Sequence, residues 1–345
     1  MKKLVLLSVA ALAICACSKD EKIAENSASN QQQEIALNAF TTPTTRAALE
    51  GTDLTDNQTM YVAAYQAAPA TAGNYFGKTA FTGTKAAHWK GGKFWPLSEA
   101  TLNFVAVTGA GLNAGDINIE SDLSSTTVDY RSTATGAYSA TSQVDIMYAD
   151  AQAAVTKSVN TLTFPVVDMT FKHAMSLIKF AVKGNSTTEI TGGTGAITVN
   201  SIKLNGAKYN GLLTITTTNS TASASVPSST HAWSNIADVV NDVTVPNLTD
   251  YALASKDDYY SGAVGAQYSL LVIPGAIRSF DINYTVNGKQ YTYRYFPQGS
   301  DADYDVAAGK KYVFQINFRL HEIEIAPTVT DWTDPTPAIG VINVQ

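Results

Sequence analysis

A regular alternation of apolar and polar residues constrains the fold of this chain most. Residues 280–286 alternate between an apolar and a polar side, and residues 291–295 alternate again after Asn287-Gly288. Because both central residues of a type I′ turn need positive φ, this segment predicts a β-hairpin. Similar short runs bounded by Gly, Asn and Pro recur from about residue 60 onward, and no long segment has a helical period. The sequence therefore predicts an all-β fold built of β-sandwiches.

Three other positions predict where strands begin, end or turn. Asn205-Gly206 follows alternating residues and suggests a second hairpin, and residues 171–182 predict one long strand. The apolar positions change parity at His321-Glu322, where we expect a bulge or a break. A chain of 345 residues exceeds the roughly 250–300 residues at which a single core stops growing. We therefore expect two domains, residues 47–168 and 169–345.

Composition excludes several classes of protein. Charged residues make up 15% of the chain, against about 25% in ordinary globular proteins. The hydrophobic content of 45% still supports a core. The net charge of −6 opposes nucleic-acid binding, which needs a basic surface. Both cysteines, Cys15 and Cys17, precede the main body, so that body has no disulfide, thiol nucleophile or thiolate metal site.

Residues 1–16 have the features of a lipoprotein signal peptide. A basic start at residues 1–3 precedes an apolar run at residues 4–14. That run is shorter than the roughly 20 residues that span a bilayer. Small residues before a cysteine suit lipoprotein signal peptidase, so we predict that Cys17 becomes the acylated first residue. An ordinary secretory signal that contains cysteines is the alternative.

An isolated strand follows the signal. After a polar tether at residues 18–33, residues 34–40 predict one strand with Ile35, Leu37 and Ala39 on one face. An extended Thr- and Pro-containing linker at residues 41–48 then leads to the main body. Tether, strand and linker therefore precede the first domain.

No catalytic or metal-binding motif emerges from the sequence. Asp301, Asp303 and Asp305 alternate as at the start of a calcium loop, but Val306 and Tyr312 stand where that loop needs Gly and Glu. A solvated loop is the favoured interpretation. The four histidines form no close pair, and no nucleophile elbow or phosphate loop is present. We predict no enzyme activity, no metal and no cofactor.

Short motifs in a fixed order extend along nearly the whole chain. They are the lipobox at Cys17, Thr45-Arg46-Ala47, Phe94-Trp95-Pro96, residues 171–177, Leu271-Val272-Ile273-Pro274, residues 308–312 and Val329-Thr330-Asp331-Trp332. Together they resemble the fimbrillin family, the subunits of type V fimbriae. The resemblance implies two tandem transthyretin-like β-sandwich domains and export as a lipoprotein. It also implies that an Arg-specific surface protease cuts the linker and that a neighbouring subunit donates a C-terminal strand.

Processing between Arg46 and Ala47 is what the resemblance implies for this chain. Arg46 is the first arginine of the sequence and lies in the extended linker, where a protease can reach it. A cut there would remove the tether and the strand with Ile35, Leu37 and Phe40. The loss would expose an apolar groove with unpaired backbone groups. An unprocessed linker arginine is the alternative.

The candidate donor strand is residues 338–345, which carry no charged side chain and follow two prolines. Its apolar members are Ile339, Val341, Ile342 and Val344. The alternative is that these residues form the last strand of their own domain.

The predicted function is therefore that of a stalk or tip subunit of a fimbria that supports adhesion. Its partners would be other fimbrial subunits, the processing protease and, through its lipid before processing, the outer membrane. Two alternatives stay open, namely an uncleaved lipidated anchor subunit and a surface glycan-binding lipoprotein that uses exposed aromatic residues.

Overall fold

A computed structural model describes most of the chain from Gln32 to Trp332. The described residues are 32–41, 54–67, 71–131, 143–151, 155–157, 164–240, 243–263, 266–299, 302–320 and 322–332.

Strands make up nearly all the secondary structure of these residues. The first ten are β1 (Leu37–Thr41), β2 (Met60–Ala67), β3 (Gly73–Thr84), β4 (His88–Lys90), β5 (Ala100–Thr108), β6 (Ile117–Ile119), β7 (Ser125–Arg131), β8 (Met147–Ala151), β9 (Val155–Lys157) and β10 (Val167–His173). The next eight are β11 (Ser176–Gly184), β12 (Ile197–Asn205), β13 (Ala207–Thr218), β14 (Ser228–Val240), β15 (Val243–Thr244), β16 (Tyr251–Ala252), β17 (Gly262–Ala263) and β18 (Ala266–Gln267). The last seven are β19 (Ser269–Val272), β20 (Gly275–Ile277), β21 (Ser279–Val286), β22 (Lys289–Tyr295), β23 (Tyr304–Val306), β24 (Lys310–Arg319) and β25 (Glu322–Asp331). Apart from one 3-10 turn at Ala114–Asp116, the described residues contain no helix, which confirms the all-β prediction.

The first half of the chain forms a sheet that closes on itself. Its strand order is β2-β3-β4-β1-β10-β8-β5, and β5 pairs back to β2, while β9 adds to the other end of β5. Every residue of β5 is buried. The ring encloses an apolar core, in which the largest fully buried side chains are Phe81, Trp89, Trp95, Phe104 and Phe171.

The second half contains a β-sandwich. One sheet has the order β19-β11-β24-β25, and the facing sheet has the order β15-β12-β21-β22. Phe180, Phe280 and Phe314 meet between the sheets, with Phe280 edge-on to Phe314 at a ring-centroid distance of 4.5 Å. Such tilted aromatic contacts add to the gain from burial alone. Alternating inward residues of β12 and β21 complete this core.

A third sheet joins the two halves. Its order is β14-β13-β7-β6, so strands that precede residue 168 pair with strands that follow it. Val128 of β7 and Leu213 of β13 pack in one cluster with Leu271. Residue 168, the predicted domain division, lies inside β10, and the chain leaves the ring for the sandwich at residues 174–175. The predicted single strand at 171–182 is wrong, because residues 174–175 separate β10 from β11.

The hairpin predicted around Asn287-Gly288 is confirmed. β21 and β22 pair from Phe280 to Tyr295, and the two turn residues have φ values of 49° and 76°. The parity change near residue 321 is also a turn, because β24 and β25 form an antiparallel pair that begins at Arg319 and Glu322.

The second predicted hairpin, at Asn205-Gly206, is wrong. β12 pairs with β21, whereas β13 pairs with β14 and β7, so the chain passes from one sheet to another at this point. Gly206 has a φ of 81°. Its left-handed conformation therefore serves a change of sheet, and the carbonyl of Asn205 accepts a bond from the Arg278 N–H at 2.9 Å.

Candidate functional site

The strand β1 lies between β4 and β10 and completes the ring. It runs parallel to β10, with Leu37 opposite Val167 and Thr41 opposite Phe171, and it meets β4 antiparallel through Leu37 and Trp89. No other pairing connects β4 to β10 in the described sheet. Removal of β1 would therefore open the ring and leave two facing strand edges with unpaired backbone groups.

Backbone hydrogen bonds hold the segment that leads into β1 on both sides. The Ile35 N–H donates to the Lys93 carbonyl at 2.7 Å, and the Trp95 N–H donates to the Gln33 carbonyl at 2.9 Å. On the opposite side, the Val167 N–H donates to the Ala36 carbonyl at 2.9 Å. The segment thus behaves as an integral strand of the ring.

The inward face of this segment is apolar. Ile35 and Leu37 are fully buried, and Ala39 is 5% exposed. Phe40, the third apolar residue named for the removable strand, is 46% exposed because the strand alternation turns it to the outer face. The inward set is therefore Ile35, Leu37 and Ala39.

On the outer face, a polar side chain of β1 links both neighbouring strands. The Nδ2 group of Asn38 donates to Oδ1 of Asp168 on β10 at 2.8 Å. Oδ1 of Asn38 accepts a hydrogen bond from Nδ1 of His88 on β4 at 2.6 Å. We call these three residues the polar clip. Sequence reasoning missed the clip, because its members are far apart in the chain and show no motif.

The other described histidines have structural partners. Nδ1 of His173 lies 2.8 Å from the carboxylate of Asp145, and Nδ1 of His231 lies 2.9 Å from the hydroxyl of Tyr148. Burial lowers the pKa of His231, as does the charge of Lys172. No group of three or more metal-ligating side chains is found among the residues that the structure describes.

Trp332 is the last described residue before the predicted donor segment. Its side chain is buried, and its backbone N–H donates to the Gly309 carbonyl at 2.9 Å. The chain is therefore anchored at the start of residues 333–345.

Several predicted site residues lie outside the described part of the chain. They are the lipidation residue Cys17, the processing residues Arg46 and Ala47, and the donor-strand residues Ile339, Val341, Ile342 and Val344. In the described part, no helix is long and apolar enough to cross a membrane.

Comparison with protein families gives one match. The model of a family described as fimbrillin-like matches residues 45–332. No curated protein matches the sequence.

Three solved structures are similar to this chain over most of its length. A candidate cell adhesion protein from Bacteroides uniformis is 14% identical, with 87% of this chain and 98% of that chain covered and a TM-score of 0.48. One from Bacteroides ovatus is 16% identical, with 88% and 98% covered and a TM-score of 0.47. A C-terminally truncated tip fimbrial protein Mfa3 from Porphyromonas gingivalis is 10% identical, with 88% and 100% covered and a TM-score of 0.37.

Proposed function

The chain belongs to the fimbrillin-like family, whose model matches residues 45–332, and on this premise we propose that it is a structural subunit of a cell-surface fimbria. The subunit is exported as a lipoprotein with the lipid on Cys17, which holds it at the outer membrane before processing. Its role in the fimbria is assembly and support of adhesion, and it needs no cofactor.

Proteolysis between Arg46 and Ala47 starts assembly. Arg46 lies between β1, which ends at Thr41, and the described body, which resumes at Leu54. After a cut at Arg46, β1 stays in the ring only through non-covalent contacts. An Arg-specific surface protease is the partner for this step.

The observation that carries the proposal is the place of β1 in the ring. Its loss would uncover the pocket of Ile35 and Leu37 and the backbone edges of β4 and β10. An extended apolar strand from a second copy restores both the burial and the backbone hydrogen bonds. Residues 338–345 supply such a strand, since they are uncharged and begin beyond the anchored Trp332.

Two β-sandwich domains remain our proposal for the organisation of the subunit. We place the division at residues 174–175, where the chain passes from β10 to β11. The third sheet crosses this division, so the two domains would move as one body within the fimbria.

The test compares Arg46→Ala with the natural chain and with Arg131→Ala, which alters the next arginine along the sequence. Surface protein is analysed by N-terminal sequencing and by an SDS gel of unboiled sample. We expect the natural chain and Arg131→Ala to begin at Ala47 and to give a high-mass ladder. Arg46→Ala should keep the acylated Cys17 and run as a monomer.

Two results would contradict the proposal. A ladder formed by Arg46→Ala would show that assembly does not depend on the cut. A natural chain that keeps Cys17 and gives a single band would instead identify an anchor subunit or a glycan-binding lipoprotein. Retention on a polysaccharide gel, lost on replacement of exposed tyrosines, would separate the second of these from the first.

A further inference from the structure

We propose that the incoming strand is aligned by its asparagine, with Asn343 of a second copy replacing Asn38 between His88 and Asp168. This inference rests on the proposed function. It adds the direction and the register of the donated strand. The replacement of β1 by a strand from a second copy does not by itself determine either of them.

The polar clip needs one side chain that both accepts and donates a hydrogen bond. Asn38 accepts from the His88 ring through Oδ1 and donates to the Asp168 carboxylate through Nδ2, at 2.6 Å and 2.8 Å. An amide side chain offers an acceptor and a donor together, whereas an apolar side chain offers neither. Once β1 has left, His88 and Asp168 face each other across the open groove without this link.

The donor segment repeats the pattern of the strand that it replaces. Residues 36–39 read Ala-Leu-Asn-Ala, and residues 341–344 read Val-Ile-Asn-Val. In both segments one apolar pair precedes the asparagine and one apolar residue follows it. When Asn343 takes the position of Asn38, Ile342 enters the buried pocket of Leu37.

This register also matches the flanking positions. Val344 takes the inward position of Ala39, and Gln345 takes the outward position of Phe40, which is 46% exposed. The donated strand then runs in the direction of β1, parallel to β10. Gly340 falls at the Ile35 position and leaves that part of the pocket to be filled by adjustment of the core.

A register shifted by one residue fits less well. It would place Ile339 and Val341 in the pockets of Ile35 and Leu37, but Asn343 would then lie at the Ala39 position. That position is 5% exposed and faces the apolar core, so the amide would lose its water without gaining partners. A strand in the reverse direction with Ile342 at Leu37 would set Val341 at the clip, where it bonds neither His88 nor Asp168. A reversed strand that keeps Asn343 at the clip would set the larger Ile342 at the Ala39 position and the smaller Val344 at the Leu37 position, so both sites would fit worse.

Cysteine cross-linking in assembled fimbriae distinguishes these registers. Phe40 lies opposite Thr170, so the proposal places Gln345 of the donor opposite Thr170 of the acceptor. Neighbouring strands are about 4.8 Å apart, within the Cα separation of disulfides. The double variant Thr170→Cys with Gln345→Cys should form intermolecular disulfides. Both natural cysteines precede Arg46, so the processed chain has none to interfere.

The matched control is Thr170→Cys with Val344→Cys. We expect at least tenfold less cross-linking for this pair, whereas the register shifted by one residue would reverse the preference. A ladder that cross-links mainly through Val344 overturns the register and leaves the proposed function intact. A natural chain that forms no ladder overturns the proposed function itself.

A second experiment tests the clip directly. Asn343→Ala and Asp168→Ala should each be processed normally. Their polymers should dissociate in SDS at a lower temperature than those of the natural chain. Asn343→Ala combined with Asp168→Ala should lower that temperature little further, because both changes remove the same bond. Ladders as heat-resistant as the natural one in both single variants would overturn the role of the clip.

Discussion

The imidazole of His173 lies flat on the indole of Trp332, with ring centroids 3.9 Å apart and planes 7° apart. His173 ends β10 of the ring, and Trp332 follows β25 of the sandwich. The imidazole also bonds the Asp145 carboxylate at 2.8 Å. This contact ties the two halves of the molecule together at the position where the chain continues toward the proposed donor strand.

Replacement of Trp332 should therefore destabilise the whole subunit. Trp332 is 3% exposed, and removal of a buried Trp side chain costs about 3–5 kcal/mol. We expect Trp332→Ala to lower the free energy of unfolding in urea by about this amount. Trp332→Phe keeps an aromatic face for His173, so its free energy of unfolding should fall by less. Equal stability of Trp332→Ala and the natural chain would show that the stacked pair does not hold the two halves.

The two faces of β1 should respond differently to truncation. Leu37 is fully buried and Phe40 is 46% exposed. In an Arg46→Ala background, which keeps β1 attached, Leu37→Ala should cost about 2–5 kcal/mol. Phe40→Ala should change the stability by less than about 0.5 kcal/mol. Urea unfolding of both variants measures this difference, and a larger effect at Phe40 would contradict the assigned inward face.

Local signals explain what the sequence predicted correctly. Asn287-Gly288 joins two alternating runs that pair directly with each other, so nearby residues determine the hairpin. Burial of Ile35 and Leu37 likewise follows from alternation within one short segment. The same alternation puts Phe40 on the opposite face, where it is 46% exposed.

Long-range pairing explains what the sequence did not predict. Gly206 provides positive φ, which serves a hairpin and a change of sheet equally well, and only the distant partners of β12 and β13 distinguish them. The polar clip joins His88, Asn38 and Asp168 from three separate strands. No spacing between these residues carries information about the ring that brings them together.

The turn of the β21–β22 hairpin depends on the backbone of Gly288. Its φ is 76°, and no atom would meet an added Cβ within 4 Å, so a substitution tests the backbone conformation alone. We expect Gly288→Ala to lower the free energy of unfolding by about 1–2 kcal/mol. Gly77→Ala is the control, since its Cβ position is equally open and its φ is not positive. Similar urea midpoints for the two variants would contradict this account.

The pair of Arg294 and Asp281 should make stability depend on pH. Nε and Nη2 of Arg294 donate to the two carboxylate oxygens of Asp281 at 2.6 Å and 2.7 Å. These bonds lower the pKa of Asp281, although burial opposes the shift. A carboxylate whose pKa is lower in the folded state stabilises the protein above its unfolded pKa of about 3.9. This contribution is lost as the pH falls through the folded pKa.

We therefore expect Arg294→Gln to lower the free energy of unfolding by about 1 kcal/mol near neutral pH. The difference from the natural chain should shrink as the pH falls below about 4, because protonated Asp281 no longer bonds the guanidinium as an ion pair. Urea unfolding at a series of pH values measures it. Arg319→Gln is the control, since Arg319 bonds Glu324 at 3.0 Å with both side chains partly exposed. If Arg294→Gln lowers the free energy of unfolding by the same amount at neutral and acid pH, Asp281 does not cause the effect.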